Sequence, residues 1–73
     1  MDVKMKKKLL NVISQRKREN EYRLSTISGV KNLSRADLDM IELYVKTDGR
    51  GMVEPRGAVK EVLDKYGFVH LKY

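Results

Sequence analysis

Apolar residues in the first third of the chain recur at helical spacing. Between residues 3 and 20, which contain no Gly or Pro, they stand at i, i+4, i+7 and i+8 and are Met5, Leu9, Val12 and Ile13. This spacing predicts an amphipathic helix, helix 1, over residues 3–20. Leu24 and Ile27 fall on the same stripe and Gly29 suits a helix end, but the Thr, Ser and Ile residues of segment 22–28 favour a strand equally. The sequence therefore leaves open whether helix 1 extends to residue 28.

A capping signal opens the second helix. Ser34 can accept a hydrogen bond from the backbone of Asp37, whose carboxylate can return it, while Leu33 packs on Leu38. Helix 2 is expected over residues 35–46. Its apolar residues cover nearly the whole circumference and are Leu38, Met40, Ile41, Leu43, Tyr44 and Val45. A helix of this kind is expected to be central and covered on several sides.

A third helix is expected over residues 55–66. Pro55 suits its first turn, and the apolar face that follows consists of Ala58, Val59, Val62, Leu63 and Tyr66. Gly67 is placed as the C-terminal cap, with Phe68 folding back on Leu63. Residues 68–73 then alternate apolar and polar side chains, which favours a short strand.

These elements predict a mostly α fold. We expect one compact three-helix domain over residues 1–73, with a basic N-terminal helix, a central apolar helix, a capped third helix and a short C-terminal β-like tail. The chain contains no cysteine, which fits a reducing compartment. It also contains no apolar run approaching the roughly 20 residues that cross a bilayer. We therefore expect an unprocessed, cytoplasmic protein without integral membrane association.

Positive charge is concentrated on helix 1. The formal net charge is +6, and residues 1–23 hold eight Lys or Arg against three Asp or Glu, a local excess of +5. On a helical wheel the side opposite the apolar stripe collects residues within about a third of the circumference, with no acidic member. These residues are Lys4, Lys7, Lys8, Asn11, Gln15 and Arg18.

The chain offers little for catalysis. It has one histidine, His70, and no cysteine, so no nucleophile–base pair or set of metal ligands can be recognised. We expect no enzymatic activity, no metal and no cofactor. The segment from Asp48 to Gly51 matches neither a phosphate-binding P-loop nor a calcium loop and is interpreted as a turn, flanked by Arg50 and Arg56, whose guanidinium groups could contact phosphate.

One segment resembles the first helix and turn glycine of a helix-turn-helix. The similarity rests on the pattern Ala58-Val59-x-x-Val62-x-x-x-Tyr66-Gly67-Phe68. Such modules continue into a recognition helix, whereas the residues after Gly67 alternate as a strand does. If DNA is read in the usual way, either the third helix itself would enter the groove or the C-terminal tail would act as a truncated wing.

Two functions follow as hypotheses. The first is a small regulatory protein that binds nucleic acid, with DNA as the leading candidate. It would contact phosphates through Lys4, Lys7, Lys8 and Arg18, with Asn11 and Gln15 facing base edges and Arg50 and Arg56 in support. The alternative is a non-enzymatic inhibitor or adaptor that docks on a larger, acidic protein. Either is compatible with a monomer or a homodimer, because helix 2 has more apolar circumference than its neighbours need.

Overall fold

The computed structural model describes residues 3–19 and 25–68. In chain order these residues form three helices and a two-stranded sheet: α1 (Val3–Glu19), β1 (Ser25–Ile27), β2 (Val30–Leu33), α2 (Arg35–Thr47) and α3 (Gly57–Lys65). The expected mostly α fold is confirmed. The strand predicted for residues 68–73 lies outside the described residues except for Phe68.

A β-hairpin follows α1 where an extension of the helix was considered. β1 and β2 pair antiparallel, with Ile27 opposite Val30. The two residues between them, Ser28 and Gly29, have φ values of 52° and 80°. Two positive φ values in a two-residue loop suit the right-handed twist of paired strands. The extension of helix 1 to residue 28 was therefore wrong, because Gly29 belongs to a hairpin turn and not to a helix cap.

A bulge lets both ends of β2 reach the core. Ser25 pairs with Leu33 and Ile27 with Val30, so two steps along β1 correspond to three along β2. Asn32, with φ of 67°, lies in this irregular stretch. One added residue changes the side to which the next side chain points, and Val30 and Leu33 are both buried although three positions separate them.

The ends of α2 are fixed by local bonds. The Asp37 amide donates to Ser34 Oγ and the Ser34 amide donates to Asp37 Oδ2, each at 3.1 Å. This confirms the predicted capping box. At the other end Asp48 has a left-handed backbone, and the Gly49 amide donates to the Tyr44 carbonyl at 2.9 Å.

The third helix begins two residues later than expected. α3 starts at Gly57, because Arg56 is extended and Gly57 has φ of 61°, so neither continues a helix from Pro55. Its end is as predicted. The Phe68 amide donates to the Leu63 carbonyl at 2.8 Å and the Gly67 amide to the Asp64 carbonyl at 3.1 Å, the pair of bonds that defines a Schellman cap.

All five elements share one hydrophobic core. The side chains that are fully or almost fully buried there come from each of them and include Leu9, Ile13, Ile27, Leu33, Leu38, Ile41, Val45, Val62 and Leu63. Tyr44 and Phe68 meet edge to face with ring centroids 6.2 Å apart. The prediction that α2 is covered on several sides holds for its buried residues only, because Met40 and Leu43 are exposed.

Candidate nucleic-acid interface

One side of α1 is anchored in the core. Leu9 and Ile13 are fully buried, and Met5, Leu10 and Val12 pack against the core from its margin. Burial of this kind fixes the rotation of the helix about its axis, because any turn would expose apolar surface at about 25 cal/mol per Å². The opposite side of α1 is thereby held toward solvent.

Two lysines at the margin of this buried side tie α1 to α2. Lys6 Nζ lies 3.2 Å from an Asp48 carboxylate oxygen. Lys17 Nζ lies 2.5 Å from Asp39 and 3.4 Å from Glu42. The start of α1 therefore meets the end of α2, so the two helices run antiparallel. Periodicity could not reveal these contacts, because the paired residues are 22 to 42 positions apart in the chain.

The ion pair between Lys17 and Asp39 shifts the pKa of both residues. Hydrogen bonding to Asp39 raises the pKa of Lys17, with Glu42 adding to the effect. Hydrogen bonding from Lys17 lowers the pKa of Asp39. Both groups are therefore charged at neutral pH, and the lysine charge is balanced by acidic residues of α2.

The outer face of α1 is the candidate interface, and we define it by the six residues expected from the sequence. All six are exposed: Lys4, Lys7, Lys8, Asn11, Gln15 and Arg18. Within residues 3–19 and 25–68, Lys7, Lys8 and Arg18 have no carboxylate within 4.0 Å. Lys6 and Lys17 thus pair with acids of α2 or its C-terminal cap, and Arg16 pairs within α1. The cations of the outer face are directed to solvent.

Glu19 borders the outer face at its C-terminal end. Gln15 Nε2 donates to a Glu19 carboxylate oxygen at 3.0 Å, and the Arg16 guanidinium lies 3.6 Å from the same carboxylate. The amide of Gln15 is therefore engaged within the helix. Asn11, in the middle of the face, is the exposed amide that remains for an external acceptor or donor. The i, i+4 spacing of Gln15 and Glu19 was the signal that could have revealed this bond.

The start of α1 is electrostatically unfavourable for a helix. Its first turn contains no acidic residue, whereas Lys4 and Lys6 lie in that turn and Lys7 and Lys8 follow. Each cation near a helix N-terminus opposes the macrodipole by roughly 0.3–1 kcal/mol at low salt. A bound anion at this end would relieve both that repulsion and the repulsion among the lysines.

The two arginines of the loop occupy different places. Arg50 is exposed two residues after Asp48, the partner of Lys6, and so lies near the start of α1. Arg56 lines a groove of about 560 Å³ between α2 and segment 53–56. This groove is bordered by Ala36 and Met40, on a different side of α2 from the acids that hold α1. Arg50 therefore lies near the start of α1 and Arg56 lies at this groove, so the two arginines do not form one site.

The described part of the chain shows neither a metal site nor a membrane-spanning helix. It contains no group of three or more His, Cys, Asp or Glu that could hold a metal ion. None of the described helices combines the length and apolar character that crossing a membrane requires. No protein family, curated protein or solved structure shows a significant match to this chain.

Proposed function

We propose that this protein is a small DNA-binding regulatory protein that contacts phosphates through the outer face of α1. The observation that carries the proposal is the division of cations on that helix. Lys6 and Lys17 are neutralised by α2, whereas Lys7, Lys8 and Arg18 are exposed without an acidic partner among the described residues. Three exposed cations without an acidic partner among the described residues therefore lie along one side of α1.

The dimensions of α1 suit a DNA groove. A helix of 17 residues is about 25 Å long and fits the B-DNA major groove, which is about 12 Å wide. Lys8 and Arg18 are ten residues apart, or about 15 Å along the axis. Cations at this separation can reach phosphates on the two sides of the groove, while Asn11 between them faces the base edges.

The proposed contacts favour affinity over sequence selectivity. Lys4, Lys7, Lys8 and Arg18 address phosphates, which carry no sequence information. Asn11 can form a bidentate pair with adenine, but Gln15 is occupied by Glu19. We therefore expect binding to many duplex sequences with a small preference at one base pair. The regulatory role and a cytoplasmic location extend this proposal and rest on the small size and cysteine-free composition of the chain.

A larger, acidic protein is the alternative partner. The same charges would attract it, but specific protein interfaces usually centre on buried aromatic or apolar anchors. The six residues of the outer face include no apolar side chain. This composition fits a phosphate backbone better than a protein surface.

Salt dependence of DNA binding tests the proposal. Four phosphate contacts predict that log K falls with log salt at a slope of about −3.6. A 20-base-pair duplex followed by fluorescence anisotropy should therefore bind about 100-fold more weakly at 200 mM salt than at 50 mM. Absence of binding at low salt, or binding that salt leaves unchanged, contradicts the proposal. Nuclease-resistant capture of one acidic protein would instead support the alternative.

A further inference from the structure

An apolar strip on α2 lies uncovered by the rest of the fold. Met40 and Leu43 are 42% and 51% exposed, and at i and i+3 they are neighbours on the helix surface. Val53, which is 80% exposed, lines the same groove as Met40. We call Ala36, Met40, Leu43 and Val53 the α2 strip. Its members are the exposed apolar residues of one surface, whereas Val3 lies apart from them on α1.

The α2 strip points away from α1. Lys17 of α1 binds Asp39 and Glu42. Going around α2 from Met40 past Leu43, Asp39 is reached after about 100° and Glu42 after about 160°. The buried residues Leu38 and Val45 lie on the side nearer Glu42. The strip and the outer face of α1 are consequently separate surfaces, and a partner on one leaves the other uncovered.

We propose that the α2 strip is a homodimer interface and that its occupant is the same strip of a second copy. The positions are self-complementary when two α2 helices pack antiparallel about a two-fold axis that passes level with the midpoint between residues 40 and 43. Met40 of one copy then stands level with Leu43 of the other. Ala36 stands level with Thr47, where a small side chain permits close approach of the helices at about 8–10 Å.

Charged residues along one border of the strip are also self-complementary between two copies. Asp39 and Lys46 both lie beyond Leu43 on the same border, and their side chains are 54% and 58% exposed. In the antiparallel arrangement Lys46 lies about 3 Å along the axis from Asp39 of the second copy. Among the described residues Lys46 pairs with Glu42 at 3.9 Å. Asp39 pairs with Lys17, but a carboxylate can accept from a second lysine because it has two oxygens. Two such pairs related by the two-fold axis would fix the register of the dimer.

The interface is small, so the dimer is weak. Few apolar side chains per copy contribute to it, which corresponds to a buried area at the low end of specific interfaces, below about 1,200 Å². Such contacts give dissociation constants in the micromolar to millimolar range, about −4 to −8 kcal/mol. The inference does not depend on DNA binding, since the strip takes no part in the proposed phosphate contacts.

Sedimentation equilibrium from about 10 μM to about 1 mM tests the dimer. The weight-average mass should rise from 8.5 kDa toward 17 kDa, twice that value. Leu43→Arg should raise the dissociation constant at least tenfold. Val3→Arg is the matched control, because it places the same charge on an exposed apolar residue of α1, and it should leave the constant unchanged.

The charge pair gives a second readout. Lys46→Glu should weaken the dimer by facing Asp39 of the second copy with a like charge, and adding Asp39→Asn in the same chain should restore part of the lost affinity, with circular dichroism and urea denaturation confirming that every variant stays folded. A mass of 8.5 kDa at all concentrations overturns the proposal. A dimer that Leu43→Arg does not weaken, or that Val3→Arg weakens equally, overturns it as well by placing the interface elsewhere.

Discussion

Neutralising Lys7 and Lys8 separates phosphate contact from net charge. The double variant Lys7→Gln/Lys8→Gln removes two outer-face cations and lowers the formal charge from +6 to +4. Gln and Lys have similar helix propensities, and both lysines are exposed without an acidic partner in the described residues. The stability of α1 should therefore change little, so that a loss of binding reports on the contact itself.

The magnitude follows from counterion release. Each neutralised phosphate contributes about 0.9 to the slope of log K against log salt. At 0.1 M salt, relative to 1 M, one contact therefore raises the affinity about 8-fold. Loss of two contacts should weaken binding about 60-fold at 0.1 M salt and reduce the slope from about −3.6 to about −1.8. Anisotropy titrations at four or five salt concentrations measure both quantities.

The matched control is Lys60→Gln/Lys65→Gln. It gives the same formal charge, and both lysines are exposed on α3, which packs against α2 and β2. This variant should keep the wild-type slope. Equal weakening by both double variants would show that binding follows net charge alone, and no weakening by Lys7→Gln/Lys8→Gln would remove the outer face of α1 as the binding surface.

Three further predictions concern the elements that position this face. Ile13→Ala should lower the free energy of unfolding by about 2–5 kcal/mol, because Ile13 is fully buried. Ser14→Ala, on the exposed side, should leave the free energy of unfolding almost unchanged. If urea denaturation gave equal losses for the two variants, that would contradict the anchoring of α1. Ser34→Ala removes the acceptor of the Asp37 amide and should lower the free energy of unfolding by about 1 kcal/mol. Ser34→Thr keeps a hydroxyl acceptor and should lower it much less. The pKa of Asp39 is lowered by Lys17, so their pair stabilises the fold above the ordinary carboxyl value of 3.8 and is lost as pH falls toward the lowered value. Stability should thus fall more steeply below pH 3.8 in the wild type than in Asp39→Asn, and parallel curves would show that the pair contributes nothing.

Local signals in the sequence predicted the start of α2 and the cap at the end of α3. Ser34 with Asp37, and Gly67 with Phe68, act through bonds between residues at most five positions apart, so their patterns are visible in the chain itself. Gly29 was ambiguous for the same local reason. A positive φ suits a helix cap and a hairpin turn equally, and Leu24 and Ile27 continue the apolar stripe of α1. Pairing of Ile27 with Val30 decided between the two.

The candidate site was only partly predictable. Helical periodicity placed Lys7, Lys8 and Arg18 on one face, because that depends on the helix alone. The acids that neutralise Lys6 and Lys17 are 22 to 42 residues away in the chain, and only the antiparallel packing of α1 and α2 brings them close. The sequence predicted surplus apolar surface on helix 2 but not that Met40 and Leu43 carry it, since coverage of a helix depends on where its neighbours pack.

The most direct test of DNA binding by α1 is a two-dimensional ¹H–¹⁵N NMR titration of the full chain with a short duplex. Chemical shift changes should concentrate on the backbone amides near Lys7, Lys8 and Arg18 and on the side-chain amide of Asn11, and they should diminish as salt rises. Signals of α3 and of the α2 strip should stay in place. Shifts centred on α3 or on the strip, with the outer face of α1 unaffected, would contradict the account.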